Sequence, residues 1–420
     1  MKKALKDIQI FTGDELIENG YIEIEDGVIS KIGEGRSPDS NEDMTVESFK
    51  GKGILAMPGF INAHTHSGMA ALRGIGDDLP FEEWLFGRIL PNEEKLDGDA
   101  IYLSAMISMM EMARNGITSF VDMYMFLDDI CQAVEGFGMR GYITRGLVDE
   151  GDENGRLQKN IDTYDKWNGK AKGRITIGFG PHSPYMCSMD YLKEIGQCVK
   201  ERNSLVHIHL KESKRERDMY SFREIVETGI FENKTLAAHC VHVTDDDIEV
   251  MKETGITPVN NPSSNLKLAN GVAPVRKFIN KGLNVALGTD SVASNNSLDL
   301  WKEMYLSSLI NKGSTGDPQT VPVKTALDMA TKNAARGVGW KDTGELKEGY
   351  KADMALVDTS GIHYIPVNNL LSNVVYSGRA SDVVATMVDG EWIYYEGDFP
   401  KIDQELIKKK FREFFVKFVV

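Results

Sequence analysis

Gly53-Ile-Leu-Ala-Met-Pro-Gly-Phe-Ile-Asn-Ala-His64-Thr-His66 is an apolar run that ends on two histidines one residue apart. Side chains at i and i+2 of a strand share a face, so both imidazoles converge on one point. Two convergent neutral imidazoles at a strand end are a natural start for a metal site. Three downstream stretches carry matching groups: His207-Ile-His-Leu-Lys-Glu212, Ala237-Ala-His-Cys240 and Leu287-Gly-Thr-Asp290.

Outward from this run, the middle of the chain alternates apolar strands with helical patterns. Met106, Met109, Met110 and Ala113 recur at i, i+3, i+4, i+7, and Asn115-Gly116 supplies a helix stop. That methionine stripe is core packing, and a strand over Ile117–Tyr124 follows it. Strand candidates begin near Phe60, Ile117, Tyr142, Ile175, Leu205, Thr235, Ile256 and Asn284. Eight strand–helix units predict an α/β fold of the (β/α)8, TIM-like type, in which chemistry sits at the C-terminal strand ends. A doubly wound sheet is the alternative, but its Gly-rich nucleotide fingerprint is absent.

Both chain ends have a different texture. Ala4–Phe11, Gly20–Glu25 and Val28–Ile32 alternate in polarity around an Asp26-Gly27 turn, a hairpin signature. Ala352–Val357, Val383–Val388 and Glu391–Tyr395, the last preceded by Asp389-Gly390, repeat it. The expected organisation is a small β-sandwich built from 1–55 plus 345–400 and a barrel over 56–344. The basic, amphipathic stretch 401–420 is expected as a helix docked on the body or on another subunit.

With 420 residues and 41% hydrophobic content, a large core is available. The formal charge of −15 argues against nucleic acid or an anionic membrane as partner. The four cysteines (Cys131, Cys187, Cys198 and Cys240) show no CxxC spacing, which fits a reduced, cytoplasmic protein without disulfides. No apolar stretch approaches the ~18 residues of a membrane span, and the N-terminus lacks a signal-peptide core.

His64, His66, His209 and Asp290 come from the first, fifth and eighth expected strands. Three imidazoles and a carboxylate suit a borderline divalent metal such as zinc. For any one of them the bland alternative is a hydrogen-bonded core histidine or a capping aspartate. Periodicity alone does not choose between His207 and His209; His209 lies nearer the active rim, leaving His207 to pack below the metal.

The chain resembles the amidohydrolase superfamily, and within it the S-adenosylhomocysteine/5'-methylthioadenosine deaminases, over essentially its whole length. The motifs are Asn62-Ala-His-Thr-His66, Leu72-Arg-Gly74, Phe81-Glu-Glu-Trp84, Thr144-Arg-Gly-Leu147, Gly180-Pro-His-Ser-Pro-Tyr185, His207–Glu212, Ala238-His-Cys-Val-His242, Asn261-Pro-Ser-Ser-Asn-Leu-Lys-Leu268 and Gly288-Thr-Asp290. The resemblance implies a hydrolytic deaminase with one bound Zn2+ per subunit, Fe2+ or Mn2+ being substitutes. Many amide-cleaving relatives bridge two metals with a carboxylated lysine on the fourth strand; here that strand, Ile175–His182, has no lysine.

By the same resemblance, Glu212 is the general acid/base, His239 orients and polarises the nucleophile, and Asp290 ligates the metal and relays a proton. His182 resembles the purine-contacting histidine, Glu93 the ribose-hydroxyl acceptor and Trp84 a lid over the nucleoside. Arg145 and Arg156 resemble the pair that engages the amino-acid end of S-adenosylhomocysteine; guanidinium forks match carboxylates bidentately. Glu212 and Asp290 would also touch substrate.

Ser291-Val292 is bulkier than the small pair expected there, Asn260 stands where many relatives carry histidine, and His242 and His363 have no role. The alternatives are a 5'-deoxyadenosine or adenosine deaminase, a guanine- or triazine-type deaminase or chlorohydrolase, and a metal-free scaffold. The expected partners are a small-molecule nucleoside and further copies of the chain in a homo-oligomer.

Overall fold

The computed structural model describes residues 2–35, 44–149 and 155–418. Its centre is an eight-stranded parallel barrel. The strands are β6 (Phe60–Thr65), β7 (Ile117–Tyr124), β8 (Arg140–Leu147), β9 (Ile175–Pro181), β10 (Leu205–Leu210), β11 (Lys234–His239), β12 (Thr257–Asn260) and β13 (Ala286–Leu287), hydrogen-bonded in that order. Almost every residue in them is buried, as expected for parallel strands covered by helices outside and packed side chains inside. Each expected strand lies within about two residues of its observed start.

The seam between β13 and β6 is closed mainly by side chains. Asn62 Oδ1 accepts from Thr289 N at 2.9 Å, and Asn62 Nδ2 donates to Thr289 Oγ1 at 2.7 Å. Asp290 N then donates to His64 O at 3.0 Å. Gly288 passes so close that a Cβ there would lie 2.8 Å from His64 Cβ. Only glycine fits this crossing, and it brings the loop bearing Asp290 onto the strand bearing His64.

The chain ends form a second sheet around β1 (Lys2–Phe11), β2 (Leu16–Glu25), β3 (Val28–Glu34), β4 (Met44–Ser48) and β5 (Ile54–Pro58). It continues into β14 (Met354–Asp358), β15 (Val383–Val388) and β16 (Glu391–Tyr395). β5 joins the two halves, running parallel to β1 and antiparallel to β14. Its alternation divides two cores. Ile54 and Ala56, with Met354 and Leu356, pack on Leu5, Ile10 and Ile24, whereas Leu55 and Met57, with Ala355 and Val357, join the core shared with the barrel. Both Asp-Gly pairs turn with positive φ, Asp26 +50° and Gly27 +83°, Asp389 +47° and Gly390 +73°. Turns of that hand match the twist of the strands they join. Sequence periodicity did not show β4, whose Met44-Thr-Val-Glu-Ser48 is half-exposed throughout.

The helix Gly98–Arg114 buries Met106, Met109, Met110 and Ala113 and is capped by Asp97, which accepts from Ala100 N at 2.9 Å. The C-terminal helix Gln404–Phe418 docks on the body, with Phe411, Phe414 and Phe415 packed against the barrel core. Val419 and Val420, the end of the expected helix, lie outside the described residues. No helix among the described residues is long and apolar enough to cross a membrane.

Candidate active site

The chemistry-bearing residues sit at or just past the C-terminal ends of the barrel strands. His64 and His66 end and follow β6, Arg145 is in β8, and His182 follows β9. His209 is in β10 with Glu212 two residues beyond it, His239 ends β11, and Asp290 follows β13. His239 and Asp290 both have left-handed backbones, at φ +71° and +61°. Non-glycine residues in that region are strained by about 1–3 kcal/mol. The bonds Cys240 N to Leu210 O and Asp290 N to His64 O, both 3.0 Å, hold the chain in these turns and aim the two side chains inward.

His64, His66 and His209 bring one ring nitrogen each to a common point, with ligand atoms within 4.8 Å of one another. His66 Nδ1 donates to Met123 O at 2.6 Å and His209 Nδ1 donates to His182 O at 2.7 Å. Both Nε2 atoms therefore present lone pairs, 3.3 Å apart. Two facing lone pairs repel unless an electron-poor centre lies between them. His64 Nε2 is buried without any hydrogen-bond partner among the described residues. Asp290 Oδ1 lies 3.4 Å from His64 Nε2 and 3.3 Å from His66 Nε2. Three imidazole lone pairs and a carboxylate oxygen fit a divalent cation, which would satisfy the His64 nitrogen that no hydrogen bond among the described residues reaches.

Burial pushes His64 down to about 3 and His209 well below the ordinary histidine value, so both stay neutral and able to ligate. His66 differs: burial would lower it, but its hydrogen bond to Asp290 and the charge of that carboxylate hold it up to about 9, so a cation bound there takes the place of a proton. Burial would raise Asp290, but His64 and His66 hold it well below the usual carboxylate range. Its Oδ2 accepts from Ser264 Oγ at 2.5 Å and Ser294 Oγ at 2.8 Å, and Oδ1 accepts from Ser291 N at 2.7 Å. No sequence signal singles out Ser264 or Ser294; Ser264 lies within the Asn261–Leu268 motif, whose pattern does not distinguish it from its neighbours.

Beside this cluster stands Glu212, buried, with Oε2 3.8 Å from His239 Nε2 and Oε1 accepting from Asn270 Nδ2 at 3.1 Å. Burial raises it to about 7, with Asp290 adding to the shift and His239 opposing it. His239 Nδ1 donates to Asn265 Oδ1 at 2.9 Å, so its Nε2 faces the site as an acceptor. Glu216 props the loop behind Glu212: its Oε1 accepts from the backbone N–H of Glu212 and of Ser213 at 3.1 and 3.0 Å.

A cavity of about 930 Å3 opens over these groups. Trp84, Glu93, Arg145, Arg156 and His182 all line it, together with His66, His209, Glu212, His239 and Asp290. The structure thus gathers every site residue expected from sequence; His64 lies just beneath the cavity, buried with 0% exposure. Trp84 is anchored by Nε1 to Ala293 O at 3.4 Å. Glu93 is buried, which raises its pKa. Arg156 opens the helix Arg156–Trp167 and donates to Val148 O at 2.9 Å.

His207 lies below, with Nε2 2.7 Å from His64 Nδ1, a hydrogen bond as well as packing. Asn260 turns away from the site to donate to Ser307 Oγ at 3.0 Å. His363 pairs with Asp382 at 2.9 Å, beside the terminal sheet.

A closed parallel barrel with a one-cation ligand set at its C-terminal mouth is the architecture of a metal-dependent hydrolase. Residues 55–393 match the amidohydrolase family. A 5-methylthioadenosine/S-adenosylhomocysteine deaminase of Thermotoga maritima is 44% identical over 93% of both chains. The protein of the same name from Thermoanaerobacter pseudethanolicus is 41% identical over 97% of both. Among solved structures, a zinc-bound adenosine deaminase from Xanthomonas campestris superposes with a TM-score of 0.93, at 24% identity over 99% of this chain and 98% of that one. The chain belongs to the amidohydrolase family, and it is a divalent-metal hydrolase acting on carbon–nitrogen bonds.

Proposed function

We propose that the protein is a zinc-dependent deaminase of adenosine-type thioethers, converting S-adenosylhomocysteine and 5'-methylthioadenosine to their inosine analogues with release of ammonia. The carrying observation is Glu212: a buried carboxyl beside one cation site, raised to about 7 by that burial, at the floor of a cavity of about 930 Å3. Replacing an aromatic C–NH2 by C=O needs water at the carbon and protons on the ring nitrogen and on the leaving amine. Three imidazoles and one carboxylate suit zinc.

A zinc ion held by His64, His66, His209 and Asp290 would supply Lewis acidity, lowering the pKa of an attacking water toward about 7. Glu212 takes a proton from that water on Oε2 and delivers it to the ring nitrogen, which makes the neighbouring carbon electrophilic. His239, with Nδ1 fixed on Asn265, offers Nε2 to orient the water. Asp290 relays the second proton to the departing amine. The products balance as the 6-oxo nucleoside and ammonia.

Glu93 is the acceptor for ribose hydroxyls in this reading, and Trp84, Phe81 and Leu85, which line the cavity with it, offer apolar contact to the sugar and thioether. Arg145 and Arg156 line the same cavity and are the cationic groups for a carboxylate tail in this reading. A bare guanine or triazine has no ribose hydroxyl for Glu93 and no carboxylate for a guanidinium to grip, which disfavours that branch. Ammonia release from S-adenosylhomocysteine, 5'-methylthioadenosine, adenosine, 5'-deoxyadenosine, guanine and cytosine tests the reading. The thioethers should lead the panel, and preference for a free base would sink it.

A further inference from the structure

We propose that Asn270 is a positioning residue that fixes which oxygen of Glu212 carries the transferred proton. This rests on Glu212 being the proton carrier in the function proposed above. Asn270 is buried, and its Nδ2 donates to Glu212 Oε1 at 3.1 Å. An amide NH2 donates and never accepts, so Oε1 is the poorer seat for a proton. The proton is left to Oε2, the oxygen that lies 3.8 Å from His239 Nε2.

Asn270 is itself held rigidly. Ala269 before it has a left-handed backbone at φ +55°, Asn270 N donates to Asn265 O at 2.8 Å, and Asn270 O accepts from His242 Nε2 at 2.7 Å. Asn265 in turn accepts from His239 Nδ1 at 2.9 Å through its side chain. One short stretch after β12, the helix Pro262–Lys267 and the loop that follows it, therefore orients both groups, Glu212 through Asn270 and His239 through Asn265. His242, which takes no part in the proposed chemistry, acts as the clamp on that loop.

The test compares Asn270→Asp with Asn270→Ala in full-length protein at matched metal content. Asn270→Asp keeps the shape but replaces a donor by an acceptor, which draws the proton of Glu212 onto Oε1. Expected is a kcat loss of about 100-fold or more for Asn270→Asp and about tenfold for Asn270→Ala, with KM within about threefold of wild type in both. A residue that merely fills space gives the opposite order, because Asp preserves the packing and Ala does not. Equal losses, or a larger loss in Asn270→Ala, overturn the proposal. If Asn270→Ala does not fold, Asn270→Ser takes its place. An active wild type with the wrong order of variants rejects this inference alone, whereas a wild type that releases no ammonia from any nucleoside rejects the proposed function with it.

Discussion

His64 Nδ1 and His207 Nε2 meet at 2.7 Å, and the direction of that bond is fixed from below. Thr144 Oγ1 donates its only hydrogen to Asp122 O at 2.7 Å. It can therefore only accept from His207 Nδ1, 3.3 Å away. His207 Nε2 is left as an acceptor, so His64 Nδ1 carries the hydrogen and His64 Nε2 points its lone pair at the cation site. Tautomer choice at the deepest ligand is set by a strand-to-strand relay through β7, β8 and β10.

Replacing His207 by Leu removes that acceptor and leaves a buried N–H on His64 without a partner. Metal affinity should fall about 10–100-fold, the usual cost of losing such a partner, and excess zinc should restore much of the activity. Competition with a chelator measures it. Unchanged affinity in the Leu variant would show that His64 orients without help.

Glu212→Gln keeps the shape but cannot shuttle a proton. Glu212 is outside the four inferred ligands, so bound metal should stay at the wild-type level while kcat falls about 10²–10⁴-fold. Metal content and turnover are read on the same preparation. A variant with more than a third of wild-type turnover would remove Glu212 from the mechanism.

The barrel and the convergence of His64, His66, His209 and Asp290 were legible in the sequence because both leave local marks. Buried parallel strands are short apolar runs, and a ligand histidine at a strand end shares its face with its i+2 neighbour, as His64 and His66 do. The supporting groups were not legible. Ser264, Ser294, Asn265 and Asn270 are small polar residues whose contacts depend on where the short helix Pro262–Lys267 and the neighbouring loops lie at the barrel mouth. Nothing in their spacing separates a serine on a carboxylate from one in water. Asp122 is similar: it is buried at the end of β7, accepts from Ser67 N at 2.6 Å and Oγ at 2.8 Å, and so braces the residue after His66. The seam of the barrel was hidden for another reason. β13 is only two residues long, and Asn62 does the pairing that a longer strand would do.

Arg156→Ala separates tail recognition from chemistry. A guanidinium–carboxylate pair in a partly enclosed site is worth a few kcal/mol, and 5'-methylthioadenosine has no carboxylate to lose it. kcat/KM for S-adenosylhomocysteine should drop about 30-fold or more while that for 5'-methylthioadenosine stays within about threefold. Equal losses on both substrates would mean that Arg156 holds the wall and not the tail.

Glu303 makes the pH dependence of stability testable away from the cation ligands. Fully buried in the helix Leu300–Thr315, it accepts from Ser263 N at 3.0 Å and Asn295 Nδ2 at 2.8 Å, tying the short helix that carries Ser264 to the loop that carries Asp290. Burial raises it from 4.5 to about 7, and those hydrogen bonds offset only part of the shift. The folded state therefore holds this proton more tightly than the unfolded chain. Its contribution to stability is complete below about pH 4.5 and is lost as the pH rises through 7. The slope from this one group cannot exceed about 1.4 kcal/mol per pH unit. Glu303→Gln, which does not titrate, should flatten the fall in denaturation midpoint between about pH 5 and pH 8 relative to wild type. Parallel curves for the two proteins would show that Glu303 is already ionised in the folded state across that range.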